Sequence, residues 1–285
     1  MKKVFYIAVA VVAVMIVLYA AAMPDVARLK RVNPKKTALM EYREEQWKEK
    51  GKRRSIYQVW VPLSGVSPYL VKAAIIAEDD KFYSHEGFDY AAMEAAMEKN
   101  IKARKWKSGG STITQQLAKN LYLSPRKSAL RKIREAAITW KLEHTLSKRR
   151  ILELYLNIAE WGDGIFGAEA ASRRYYGKGA GELTAIEAAR LVSVLPNPIK
   201  YNPAGEQNYV LKRSEIIYDI MVRRGIVVEE FDELTSPAKP SEESSARTGA
   251  SGAGGAKDEK SGALSLKADG APPVDADSNI SPAPR

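Results

Sequence analysis

Ten residues, Glu78 to Gly87, hold four carboxylates and one of only two histidines in the chain. Carboxylates and imidazoles move protons near neutral pH. The stretch directly follows Val71, Ala73, Ala74, Ile75, Ile76 and Ala77, which read as the buried part of a helix. Ser67-Pro68 supplies an N-cap and first-turn signal, so Glu78 falls in the last turn, where the negative helix end disfavours an ionised carboxylate. A carboxylate with raised proton affinity can act as a base. A solvated acidic helix end followed by a turn at Gly87 accounts for the stretch equally well.

Gly109-Gly110-Ser111-Thr112-Ile113-Thr114-Gln115-Gln116 is the second unusual stretch. Two glycines let backbone approach a ligand, Ser111 or Thr112 can cap the following helix, and freed N–H groups at a helix start attract anions. Gln115 and Gln116 add amides suited to sugar hydroxyls. An ordinary glycine turn with a hydroxyl cap is the plainer reading of these residues alone.

Positive charge is densest between Lys119 and Arg150, where ten basic residues meet only Glu135 and Glu143. Part of this surface must therefore meet anions. With Ile133 and Ala137 on the core face, Glu135 points into the basic field, one turn after Arg131 and Lys132; a helix salt bridge is the alternative. No nucleic-acid-binding motif is present, and His85 and His144 are too far apart in sequence to argue a metal pair.

Helices must position these groups. Leu130, Ile133, Ala137 and Trp140 recur at helical spacing, as do Ile151, Leu154 and Tyr155, and then Ala185, Ala188, Ala189, Val192 and Leu195, all expected as core faces. From Ser67 to about Gly225 the chain reads as helix after helix. Ile56–Val61 is the one strand-like run, and the glycines of Trp161–Gly167 and Tyr175–Gly177 mark loops or caps.

The chain has 285 residues, a net charge of +11 and no cysteine, which points to a polyanionic partner and removes disulfides and thiolate metal sites. Val4 to Met23 is uncharged and apolar, long enough for a helix to cross the ~30 Å hydrocarbon layer. Residues 1–23 are thus expected to be a short N-terminal stub and a transmembrane helix, with a cleaved signal peptide as the alternative; the basic residues on both sides leave its orientation open. Residues 24–55 read as a charged juxtamembrane segment, with a helix from Thr37 through Lys50. Beyond Ser236 the composition turns to Ala, Gly, Ser and Pro without aromatics, so 236–285 is expected to be disordered.

In order, these stretches resemble a family. Glu78-Asp79-x-x-Phe82-x-x-His85-x-Gly87, Gly109–Gln116, Arg131-Lys132-x-x-Glu135, Lys148-x-x-Ile151-Leu152-x-x-Tyr155-x-Asn157 and Arg190-x-x-x-Val194-Leu195 are similar to the five motifs of the peptidoglycan glycosyltransferases. The resemblance covers roughly Ile56 to Pro203 and is nearest to the monofunctional members. Ser124–Lys127 fits the Ser-x-x-Lys pattern of a transpeptidase, but Lys-Thr-Gly is missing.

The resemblance implies an all-α, lysozyme-like glycosyltransferase domain over 56–235, with a smaller membrane-proximal lobe. It implies polymerisation of lipid II onto a growing lipid-linked glycan, with inversion and release of undecaprenyl pyrophosphate. Glu78 would be the general base, and Glu135 a second catalytic carboxylate. Lys119, Lys127, Arg131 and Lys132 would neutralise the leaving group, with a divalent cation (Mg or Mn) near Glu135 as an optional helper. Lys127 stands where relatives commonly have arginine, which would forfeit bidentate phosphate contact. Asp79, Phe82, His85, Gly110, Ser111, Thr112, Thr114, Gln115 and Gln116 would bind substrate, while Lys148, Tyr155, Asn157 and Arg190 would order the site or hold the fold. The implied place is the bacterial inner membrane with a periplasmic domain, among other cell wall synthesis proteins. A lysozyme-type hydrolase or a membrane scaffold are the rival functions.

Overall fold

The computed structural model describes residues 2–7, 10, 23–103, 110–125 and 128–227. The expected transmembrane helix lies mostly outside these residues, as does the tail 236–285; residues 2–7 and 10 are helical. No helix among the described residues is long and apolar enough to cross a membrane.

Hydroxyl side chains start five of the described helices. Thr37 caps α1 (Ala38–Glu49), Thr112 α4 (Ile113–Tyr122), Ser128 α5 (Ala129–Thr145), Ser147 α6 (Lys148–Ile158) and Thr184 α8 (Ala185–Ser193). Each accepts a bond from an otherwise unpaired first-turn N–H. Ser67 also precedes a helix, α2 (Pro68–Glu78), but its side chain makes no cap and donates instead to the Leu183 carbonyl. Three more α-helices belong to the folded part: α3 (Tyr90–Ala103), α7 (Ala168–Tyr176) and α9 (Asn208–Arg223). The left-handed Gly177 ends α7.

The fold is mostly helical. The strand-like run Ile56–Val61 contributes only β1 (Tyr57–Gln58). It pairs in parallel with β3 (Ile165–Phe166), which pairs antiparallel with β2 (Glu160–Gly162). The glycine-rich stretch expected to be a loop is thus a hairpin, turning at Asp163-Gly164. Asn157 ties this sheet to α6: its side chain accepts from the Val61 N–H and donates to the Val61 carbonyl.

α2 packs on α8 and α9, while α4 packs on α1, α5 and α6. The core between them is lined by Leu70, Ala73, Leu117, Ile151, Leu154, Ala188 and Val192, in line with the expected faces of α6 and α8.

Two expectations need correction. α5 buries Glu135, Ile138, Thr139 and Leu142, while Leu130, Ile133 and Trp140, expected in the core, are exposed. The segment before residue 56 is not simply a charged linker: α1 buries Met40 and Trp47 against the domain. Arg43 on α1 makes a bidentate ion pair with buried Glu160 at 2.8–3.0 Å, and Trp47 Nε1 donates to Asp163.

Candidate active site

Glu78 is the last residue of α2, in the gap between α4 and α9. One of its oxygens accepts from Gln116 Nε2 on α4 at 2.9 Å; the other faces Arg213 Nη2 on α9 at 3.4 Å. Gln116 is itself oriented, since its Oε1 accepts from the buried Tyr155 hydroxyl of α6 at 3.3 Å. Burial raises the proton affinity of Glu78, while the Gln116 amide and then the charges of Arg213 and Lys119 lower it. Desolvation is therefore the main cause, where the sequence pointed to the helix end.

One cavity reaches Gln116, the partner of this carboxylate, and another reaches the carboxylate itself. One, of about 480 Å³, is lined by Gln116, Lys119, Asn120, Arg131 and Tyr155 on one side and by Leu39, Tyr42 and Arg43 of α1 on another. The other, of about 430 Å³, is lined by Glu78, Asp79, Asp80, Gly110, Ser111 and Thr112. The Glu78–Gln116 bond joins a wall of one to a wall of the other.

The first cavity is prepared for anions. Burial lowers the proton affinity of Lys119, as do its neighbours Arg131 and Lys132, against the opposing pull of Glu135 and Glu78. Among the described residues no carboxylate lies within ion-pair distance of its amine. Arg131 donates through Nη1 to Glu135 at 3.0 Å, but its buried Nε has no acceptor among the described residues. Buried donors of this kind are rare in proteins and are normally satisfied.

Glu135 does not point into the open basic field. It is buried, with Arg131 and Lys132 each on one of its oxygens. No group of three His, Asp or Glu side chains that could hold a metal is found among the described residues. With both oxygens of Glu135 taken by cations, the donor set does not fit a divalent ion.

Several expected substrate contacts are part of the frame instead. Asp79 accepts from His85 Nε2 at 2.8 Å and from the Ile113 N–H at the start of α4 at 2.9 Å, so it anchors α4 to the end of α2. The Gly87 N–H donates to His85 Nδ1, which leaves the ring proton on Nε2, facing Asp79. Phe82 is wholly buried, with the Lys148 amine 4.6 Å over its ring. Thr114 Oγ1 and Lys148 Nζ both donate to Glu143, and Gln115 closes the capping box of Thr112. Phe82, Thr114 and Gln115 thus have no face left for substrate. Gly110 lines the second cavity where a Cβ would meet the Met93 backbone at 2.8 Å, so only glycine fits. Ser111 is exposed at the same wall. Arg190 donates to the carbonyls of Pro203 and Gly205, holding the lead-in to α9. Lys127 lies outside the described residues.

Arg213, Glu143 and the Arg43–Glu160 pair carry no motif, and reading residues in sequence gave none of them a role in the site. Their partners lie 135, 29 and 117 residues away.

The transglycosylase family profile matches residues 44–222. The chain belongs to the transglycosylase family. Among its relatives, a biosynthetic peptidoglycan transglycosylase of Azoarcus sp. (strain BH72) is 53% identical over 169 residues, 59% of this chain and 73% of the relative. Those of Nitrosospira multiformis and Dechloromonas aromatica are 46% and 50% identical, covering 68% and 60% of this chain and 84% and 74% of the relatives. The transglycosylase match begins inside α1 and ends inside α9, so it takes in Glu78, Gln116, Glu135 and Arg213 but leaves out the cavity-lining Leu39, Tyr42 and Arg43.

Proposed function

We propose that the protein is a peptidoglycan glycosyltransferase of cell wall synthesis that polymerises lipid II. The acceptor's C4 hydroxyl oxygen forms a bond to the anomeric carbon of the growing chain, the bond from that carbon to the pyrophosphate oxygen breaks, and undecaprenyl pyrophosphate leaves. The hydroxyl proton passes to Glu78. An α-linked pyrophosphate becomes a β-1,4 bond, so the displacement inverts.

The observation that carries this reading is Glu78 on the wall of an acid-rimmed cavity, bonded to Gln116 on the wall of a cation-lined one. The first suits a hydroxyl-bearing acceptor sugar, whose proton needs a base. The second suits a pyrophosphate. Lys119 and Arg131 lie on its wall, and the unpaired Nε of Arg131 matches a phosphate oxygen. Fixed cations of this kind stabilise the charge that develops on the leaving group without a proton donor. A glycan hydrolase would need a second carboxylate free to act, and Glu135 is engaged by two cations.

The exposed apolar residues Tyr90, Met97 and Ile101 on one side of α3 support a lipid-linked substrate. A divalent cation would act on the pyrophosphate rather than as a resident of Glu135, and polymerisation with and without chelator tests that requirement.

Purified lipid II, incubated with the solubilised protein and separated by gel, is expected to give long glycan. Glu78→Gln, folded as judged by circular dichroism, is expected to give none. Glycan from the variant at the normal rate would remove Glu78 as the base, and cleavage of preformed glycan by the unaltered protein would make it a hydrolase.

A further inference from the structure

Leu195 and Pro198, just after α8, line the cation-lined cavity, and the segment from there to α9 is fixed by polar contacts. Arg190 donates to the carbonyls of Pro203 and Gly205, and the Lys200 and Tyr201 N–H groups donate to the Asn197 carbonyl. The Gln207 side chain accepts from the Asn202 N–H and donates to the Lys200 carbonyl. None of these bonds involves an aromatic side chain.

On this fixed backbone two tyrosines stand as a stack. The rings of Tyr201 and of Tyr209, the second residue of α9, are 4.2 Å apart and 12° from parallel. The Lys200 amine lies 5.2 Å from the Tyr201 ring. Tyr201 is half-buried, whereas Tyr209, at the end of the stack, is 37% exposed. Two rings in contact restrict each other's rotation, so the open face of Tyr209 is a flat apolar surface set in place before anything binds. A tyrosine supplies such a surface at small entropic cost.

Position selects the occupant. Tyr209 and Arg213 are four residues apart on α9 and share one face of it. Arg213 in turn faces Glu78 at 3.4 Å. The open ring therefore stands one helical turn, about 6 Å along the axis, from the arginine beside the base. In the proposed reaction the anomeric carbon of the growing chain lies by Glu78 with its pyrophosphate in the cation-lined cavity, so its remaining sugars must leave by another route. Sugar rings carry C–H faces that pack on an aromatic face while their hydroxyls and amides stay wet. A lipid tail would need a wider apolar surface than one ring, and a polyanion more charge than Lys200 alone.

We propose that Tyr209, backed by Tyr201 and Lys200, is a platform on which a sugar of the growing glycan stacks as the chain leaves the site. The proposal rests on the glycosyltransferase reading above. Contacts act mainly on the rate of release. A chain that is released more slowly gains more units before it departs, so the platform sets product length.

The full chain in detergent is compared with Tyr209→Ala and Tyr209→Phe. From lipid II, Tyr209→Ala is expected to give glycan shortened about two- to tenfold, the equilibrium factor that one aromatic contact contributes. Tyr209→Phe keeps the ring and is expected to keep the length. A folding defect would lower the amount of active enzyme, which slows lipid II consumption without shortening the product. Unchanged length in Tyr209→Ala, or equal shortening in Tyr209→Phe, would overturn the proposal. Binding separates it from the reading on which it rests. Soluble oligomers of N-acetylglucosamine and N-acetylmuramic acid, stripped of lipid and peptide, are expected to give saturation-transfer NMR signals with the unaltered protein and with Tyr209→Phe that fade in Tyr209→Ala. Failure of the unaltered protein to form glycan would remove the glycosyltransferase reading, while equal oligomer signals from all three proteins would remove the platform. Signals seen only with oligomers that retain their peptides would make the peptide the occupant and overturn the proposal equally.

Discussion

Glu78 is pulled two ways. Burial raises its proton affinity, and the Gln116 amide, Arg213 and Lys119 hold that rise in check. Only the ionised form can take a proton from a hydroxyl. Removing the Arg213 charge leaves burial less opposed, so the proton affinity of Glu78 climbs further and a higher pH is needed to ionise it. In Arg213→Gln the acid limb of the pH profile of kcat/KM is expected to move to higher pH, with activity recovering on the alkaline side; Arg213→Lys, which keeps the charge, is expected to lie between. A uniform loss at every pH would instead assign Arg213 to packing α9 on α2. Glu78 could be singled out in the chain because a carboxylate at the end of an apolar helix is a visible conflict. Arg213 could not, since one arginine on a charged helix looks like any other.

At the scale of elements, α5 shows where periodicity stops deciding. Leu130, Ile133, Ala137 and Trp140 form one apolar stripe, and Ile138, Leu142 and Leu146 form another. Both obey a helical period. Periodicity cannot choose between them, and the buried stripe is the one that includes Glu135, whose pairing with Arg131 and Lys132 lets it leave water. Leu142→Ala is expected to destabilise the protein by about 2–5 kcal/mol, as truncation in a packed core does. Leu130→Ala should change stability by no more than about 0.5 kcal/mol. Urea unfolding midpoints of the two variants check the assignment. Helix starts were easier to read, because the Thr112 cap and its Gln115 partner use neighbours in the chain and need no distant contact.

In the whole molecule, α1 changes where the working unit begins. A boundary at residue 55 separates Arg43 from Glu160, yet the two form a bidentate pair at the cavity that holds Lys119. Arg43→Ala leaves the Glu160 carboxylate buried without its partner, and the expected loss is about 3–5 kcal/mol. Arg43→Met with Glu160→Leu, which removes both charges, is expected to recover much of that stability. If the single and double variants are equally destabilised, the pair contributes through packing rather than through charge. A chain that starts at Ile56 is expected to lose activity with the cavity wall, as measured by glycan formation from lipid II.

The sequence by itself determined the helical class, the helix starts at Thr37, Ser67-Pro68 and Ser111-Thr112, the order of the five motifs, and Glu78 as the acid to watch. All of these depend on residues within a turn or two of one another, where periodicity and caps act. Only the tertiary structure decided which face of α5 is core, that Asp79, His85 and Thr114 build the frame, and that α1 lines a cavity. It also brought Arg213 to Glu78. Those assignments depend on which distant surfaces meet, and a buried charge is settled by the partner that packing brings to it rather than by its neighbours in the chain.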